Sequence, residues 1–258
     1  MELVYVISGL AVGFTVGLTG VGGGSLMTPI LLWLGINPAT AVGTDLLYAA
    51  ITKAGGVVVH QRNRNIDWKV TGLLASGSLP AALLTVLALH ILKPDVAILN
   101  AIITHALGFA LLLTASAIIF KKRLMALIQK HAGHWLNLPA AKLGKATVLT
   151  GIALGIIVTL SSIGAGALGT LALFLLYPLL PTSRLVGTEI AHAVPLTAIA
   201  GLGHAGLGHV DWWTLVSLLT GSLPGIWLGS HLTHHAPDRI LRPCLAVMLA
   251  MVGGKLIM

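Results

Sequence analysis

One stretch of this chain occurs twice. Val42-Gly43-Thr44-Asp45 returns as Val186-Gly187-Thr188-Glu189, 144 positions later. At the same offset His60 returns as His204, Asp67-Trp68 as Asp211-Trp212, and Gly77-Ser78-Leu79-Pro80 as Gly221-Ser222-Leu223-Pro224. Residues 42–80 and 186–224 share 13 identities in 39 ungapped positions. Upstream, at offset 142, Gly22-Gly23-Gly24 answers to Gly164-Ala165-Gly166. In an apolar chain, duplicated units with glycine breaks at matching places point to a transporter built around a pseudo-two-fold axis.

The chain is apolar enough for that reading. Hydrophobic residues make up 56%, charged residues 9%, and mean hydropathy is +0.96. A soluble domain carries about 25% charged residues. Too little polar surface remains to cover a water-facing globule, which implies an all-α integral membrane protein. The 31 glycines suit close helix packing in lipid. The net charge of +8 does not indicate nucleic acid, because the basic residues fall between apolar segments without aromatic interleaving. Cys244 alone offers no disulfide or metal framework. The first 20 residues carry Glu2 and no basic run, and are expected to form a membrane helix, not a cleaved leader.

Apolar runs predict helices over 3–20, 24–36, 38–60, 68–92, 97–120, 147–164, 166–180, 182–204, 212–234 and 240–258. The second and seventh are short and follow the glycine clusters, so they either span or re-enter, leaving 8–10 membrane helices. Pro38 and Pro181 stand at helix starts; Pro80, Pro195 and Pro224 predict kinks. The expected organisation is a first membrane repeat over 1–120, a cytoplasmic connector over 121–146 and a second, inverted repeat over 147–258. The connector, able to form a short amphipathic surface helix, holds Lys121, Lys122, Arg123, Lys130, Lys142 and Lys145. Threading outward from it, twelve of the fifteen basic residues fall inside, two outside, and Lys53 lies within a helix. The segment 61–69 is then inside and its copy, 205–211, outside, so the repeat is inverted in the cell membrane.

The glycine breaks carry the first candidate site. Helices that begin there present free N–H groups and about half a positive charge, a setting for an anion. Thr19, Gly22, Gly23, Gly24 and Ser25 form one side; Ser161, Ser162, Gly164 and Gly166 form the other, with Thr44 and Thr188 nearby in sequence. Tight glycine packing without a ligand is the alternative. Asp45 and Glu189 lie seven residues into their helices, roughly 10 Å deep. A carboxyl group there is costly when charged, so the pair are candidates for proton coupling. Tyr48 and His192, at i+3, could share their hydrogen bonds; a structural acid capping a helix break is the other reading. Lys53 could attract the anion or snorkel to the interface. His60 and His204 are either proton-linked gates or interface anchors. His231, His234 and His235 have a metal-like spacing but read as a solvated helix end. Trp68, Trp212 and Trp213 read as interfacial belt residues.

These motifs together resemble the TauE/SafE family of sulfite-exporter-like membrane proteins. Gly20-Val21-Gly22-Gly23-Gly24 with Pro29, Ala41-Val42-Gly43-Thr44, Asn65-Ile66-Asp67-Trp68 and the copy ending His209-Val210-Asp211-Trp212 carry the resemblance over nearly the whole chain. It implies a secondary transporter of small anions, chiefly sulfur oxoanions or organosulfonates, needing no ATP, cofactor or bound metal. Asp45 and Glu189 stand where members often have a small polar residue such as serine, which suggests a subgroup. The partners expected are a small anionic substrate and the lipid bilayer, with association into a homodimer left open. A divalent-metal or other cation transporter using the acids and histidines is the alternative function. An intramembrane hydrolase using Ser161 or Ser162 with His192 is a third reading that the repeat does not favour. No phosphate-binding loop of the Gly-x-x-x-x-Gly-Lys-Ser/Thr type occurs.

Overall fold

A computed structural model describes residues 2–19, 24–92, 95–135, 139–232 and 238–257. Among these residues the structure is helical, with no strand. The helices are α1 (Leu3–Thr19), α2 (Gly24–Trp33), α3 (Pro38–Arg62), α4 (Trp68–Leu92), α5 (Val96–Trp135), α6 (Ala140–Ser161), α7 (Ala167–Leu176), α8 (Thr182–Gly206), α9 (Trp212–Leu232) and α10 (Asp238–Ile257). Among the described residues, five stretches are long and apolar enough to cross a bilayer, in α3, α4, α5, α6 and α8. The 10-residue α2 and α7 are each about 15 Å long, half of a hydrocarbon core.

Local chemistry sets the helix ends. Asn37 caps α3, its side chain accepting from the Thr40 N–H at 2.9 Å, and Pro38 takes the first helical position. Asp67 caps α4 by accepting from Lys69 and Val70 N–H, both at 3.2 Å. Asp211 does the same for α9 with Trp213 and Thr214, both at 3.0 Å. The repeated Asp-Trp is therefore a helix start, with Trp68, Trp212 and Trp213 exposed beside it. The helices α4, α8 and α9 continue through Pro80, Pro195 and Pro224. The break between α6 and α7 needs positive φ at Gly164 (φ 118°) and Gly166 (φ 149°), which glycine supplies without a Cβ penalty, and follows Ser162, which caps α6 in the left-handed conformation (φ 57°).

Packing repeats as the sequence does. On α9, Leu218 and Ser222 receive Gly9 and Gly13 of α1; on α4, Leu74 and Ser78 receive Gly151 and Gly155 of α6. The first set maps onto the second by the offsets of 142 and 144 found in the sequence. Each half thus lends an outer helix to the other. In each of these pairs residue numbers rise together, so the helices run parallel. By contrast α3 and α8 are antiparallel: Gly201 abuts Leu47 while Gly56 abuts Ile190. The same holds for α5 and α10, where Gly108 meets Ile257 and Gly253 meets Leu111. Equivalent helices running in opposite directions are consistent with an inverted repeat.

The antiparallel pair α3 and α8 forms the centre. Their most apolar windows are 56% and 61% buried, against 28–33% for α4, α5 and α6. Shielded from lipid, they tolerate lower mean hydropathy, 1.3 and 1.4 against 1.8–2.2. Met27, Leu31, Tyr48, Leu107, Leu111 and Ile163 pack into one core on the α3 side, Val42, Leu46, Leu196 and Ala200 into a second between α3 and α8, while Leu84, Leu87, Phe109 and Leu149 face outward.

Most of the connector expected over 121–146 is helical and continuous with its neighbours. Helix α5 runs unbroken through residues 121–135, and 140–146 already belong to α6. No glycine or proline occurs between Gly108 and Gly133, so the helix has no reason to stop where Lys121, Lys122 and Arg123 end the apolar run. Its last 15 residues add about 22 Å beyond Phe120.

Candidate functional site

The repeated Val-Gly-Thr does structural work at both ends of the centre. Gly43 lies directly against the His209 carbonyl, and Gly187 against the Asn65 carbonyl. The next residue then reaches a backbone donor: Thr44 Oγ1 accepts from Asp211 N–H at 3.0 Å, and Thr188 Oγ1 from Asp67 N–H at 2.9 Å. Each threonine thereby fixes the first turn of a helix in the opposite half, leaving its hydroxyl proton free to donate. Arg184 adds a partly exposed ion pair to Asp67 at 3.5 Å.

One residue further, the acids turn inward. Asp45 is fully buried, and Thr28 of α2 donates to its Oδ2. Among the described residues its Oδ1 has no hydrogen-bond partner, and the buried Ser162 hydroxyl lies close enough to interact with this carboxyl. Glu189 is 2% exposed and presses on the first turn of α7, its Oε1 about 3.0 Å from where a side chain on Gly169 would begin. Its Oε1 also lacks a partner among the described residues. Each acid therefore bears on the short helix of its own half.

Lys53 joins the two. It is 7% exposed, and its ammonium donates to the Ala165 carbonyl inside the Gly164-Ala165-Gly166 break. It lies within electrostatic reach of both Glu189 and Asp45. The ammonium does not snorkel to the interface. The equivalent residue, Thr197, is buried and bonds back to Ala193 O at 2.9 Å, so the ammonium has no copy. The site is symmetric in its acids and asymmetric in its cation.

Tyr48 and His192 do not share the acids' hydrogen bonds. His192 Nε2 pairs with Ser78 Oγ at 2.7 Å, and Tyr48 stands near Ser222, the copy of Ser78. A side chain at i+3 sits about 60° round the helix from its reference, enough to place these two on the faces toward α4 and α9. Ser161 Oγ donates to Ile157 O at 2.6 Å, so His192 pairs with neither serine of the hydrolase reading. His204 Nε2 lies 2.9 Å from Thr159 O, buried beneath the α8–α9 turn, and His60 stays half-buried against Gly187. Burial holds the imidazole of His209, in the turn beside His204, below its ordinary pKa.

Gly22 and Gly23 lie outside the described residues, as do the side chains of Thr19, Ser25 and His231, and all of His234 and His235. Gly24 opens α2. Among the described residues no three His, Cys, Asp or Glu side chains gather as metal ligands. Sequence reasoning missed Thr28 and Ser78. Both had a signal: Thr28 matches Thr170 at offset 142, and Ser78 matches Ser222 at 144.

A buried polar cluster between two antiparallel helices, reached by broken helices, defines a multi-pass membrane protein of the transporter class. The family model "Sulfite exporter TauE/SafE" matches residues 5–256. The chain belongs to that family. It is similar to the probable membrane transporter protein YjnA of Bacillus subtilis (strain 168), 42% identical over 257 residues that cover 100% of both chains. It is also similar to YdhB of the same organism, a probable membrane transporter protein, at 29% identity over 93% of this chain and 94% of the relative. A probable membrane transporter protein of Xylella fastidiosa (strain Temecula1 / ATCC 700964) shares 27% over 88% of this chain and 83% of its own. No solved structure matches.

Proposed function

We propose that this protein is a secondary transporter of small anions, sulfur oxoanions or organosulfonates, working by alternating access with proton coupling. The carrying observation is Lys53: a buried ammonium bound to the backbone of a glycine break and flanked by an acid from each half. An oxyanion entering here takes Lys53 from the Ala165 carbonyl and gains a hydrogen bond in which both partners are charged, stronger than the ammonium–carbonyl bond it replaces. Ser162, whose buried hydroxyl stands beside Asp45, adds a donor. The glycine-break N–H groups and the threonine hydroxyl protons are further donors on this reading.

Charge balance gives the coupling. Two ionised carboxyls beside one ammonium leave a negative excess, which repels an anion. Protonation of Asp45 or Glu189 removes that excess, so the anion and the proton enter together. The central α3 and α8 carry one acid each and run in opposite directions, so one half can open its acid to either side as the other closes.

The deciding test is uptake of labelled sulfite, sulfate, thiosulfate and a small sulfonate into proteoliposomes, with and without a pH gradient. Saturable flux of one anion, raised by the gradient and lost in Lys53→Met, is the expected result. The same negative excess favours a second reading, a cation transporter. Flux of Zn²⁺ or Mn²⁺ without any anion would establish that one and overturn the first.

A further inference from the structure

The two-fold relation between the halves supplies an internal control for every surface feature: what one half has, the other should have too. One groove breaks the rule. It runs between α4 and α6, has a volume of about 610 Å³, and is lined by Lys69, Leu73, Gly144, Lys145, Val148 and Leu149 among others. That volume is within the roughly 300–1,000 Å³ of small-molecule sites. Apart from the two lysines the named walls are apolar. Gly144 has open space where a side chain would begin, and Leu149 is 65% exposed, so the groove is open to whatever surrounds the helices.

The matching helix pair is α9 and α1. The residue equivalent to Lys69 is Trp213, and the residue equivalent to Lys145 is Leu3. Both are strongly exposed, at 77% and 72%. The same backbone arrangement thus carries two cations at one end of the molecule and two apolar side chains at the other. Because α4 and α6 run parallel, Lys69 and Lys145 stand at the same end. The Arg184–Asp67 ion pair places the start of α8 there too, and Arg62 and Arg64 immediately precede α4. This is the basic end, facing the leaflet that carries anionic lipid in a positive-inside topology.

We infer that the α4–α6 groove holds an anionic phospholipid, its phosphate between Lys69 and Lys145 and an acyl chain along Leu73, Val148 and Leu149. The chemistry fits this occupant on both counts. A free phosphate has no use for the apolar wall, and a zwitterionic lipid brings an ammonium that two lysines repel. The site is separate from the central acids and makes no claim on the transported solute.

The test uses the full-length protein in detergent, with bound phosphatidylglycerol counted by native mass spectrometry against phosphatidylcholine. Phosphatidylglycerol is expected to bind, and Lys69→Gln with Lys145→Gln to weaken it about 30-fold, roughly fivefold for each lysine near a lipid headgroup. Lys142→Gln removes an exposed lysine of α6 outside the groove lining and is expected to leave binding within about fivefold. A second measurement needs no variant. Phosphatidylglycerol added to the native protein should protect Lys69 and Lys145, several-fold more than Lys142, from an amine-reactive label. Equal protection of all three lysines overturns the proposal, as does phosphatidylcholine binding equally well. Displacement of the lipid by millimolar inorganic phosphate would reassign the groove to a free anion and overturn it as well.

Discussion

Replacing Thr44 and Thr188 by valine, singly and together, isolates the contact by which each half fixes a helix start in the other. Valine keeps the shape of threonine and removes the acceptor for Asp211 N–H in one case and Asp67 N–H in the other. A buried donor left without a partner costs about 1–3 kcal/mol. Both donors here are only part-buried, so about 1 kcal/mol each is the better figure. For a chain of 150–250 residues that lowers Tm by about 2–4 °C. The two contacts lie in different turns and share no partner, so the double variant should fall by about 4–8 °C. Thermal unfolding of the purified protein in one detergent reads all three, and Thr→Ser variants, which keep the oxygen, should recover most of the loss. A fall in only one single variant, or none in either, refutes the claim that the repeated threonine is a matched structural clamp.

Four other outcomes are expected. Gly43→Ala and Gly187→Ala drive a Cβ into the His209 and Asn65 carbonyls and should each cost about 1–3 kcal/mol, whereas Gly55→Ala, with nothing within 4 Å, should be neutral or stabilising; unfolding midpoints check both. Asp45→Asn keeps an acceptor for Thr28, so it should fold normally yet flatten the pH dependence of flux, and adding Glu189→Gln should abolish gradient-driven uptake in proteoliposomes. Ser78→Ala leaves buried His192 Nε2 without its partner and should lower Tm by several degrees, more than Ser76→Ala at an exposed site on the same helix. For His209 the neutral form is favoured on folding, so the unfolded chain binds more protons between its ordinary pKa near 6.5 and the lower folded value; stability should be full above about pH 7, decline as pH falls through that window, and decline less in His209→Gln.

Much of the fold was legible because the repeat makes the sequence testify twice. Helix starts at Pro38, Trp68, Thr182 and Trp212 coincide with capping or proline signals, and the structure places them there. The α5 extension was not legible from hydropathy, since an apolar run ends with the bilayer while a helix ends only at a breaker or cap. The site was half legible. A buried acid in each repeat could be read from position, but its partners could not. Thr28 lies 17 residues from Asp45, and Ala165 lies 112 from Lys53. Such pairings depend on which helices cross, and periodicity carries no information about crossing. The repeated Gly-Thr illustrates the limit: spacing marked it as special, but only the turn it grips explains why both residues recur.

The exchange of outer helices between halves bears on how the chain is made. Gly9 of α1 finds its place against Leu218 of α9, 209 residues downstream. At roughly 5–20 residues per second, translation leaves that face of α1 waiting about 10–40 s. During that interval a helix notched for close contact sits in lipid or against the insertion machinery without its mate. A first half expressed alone would stay in that unfinished condition, while α4 would lack α6 for a far shorter time. Assembly is therefore lopsided in time although the finished molecule is balanced in space: α9 closes onto α1 late, and only the docking of α10 on α5 comes after it.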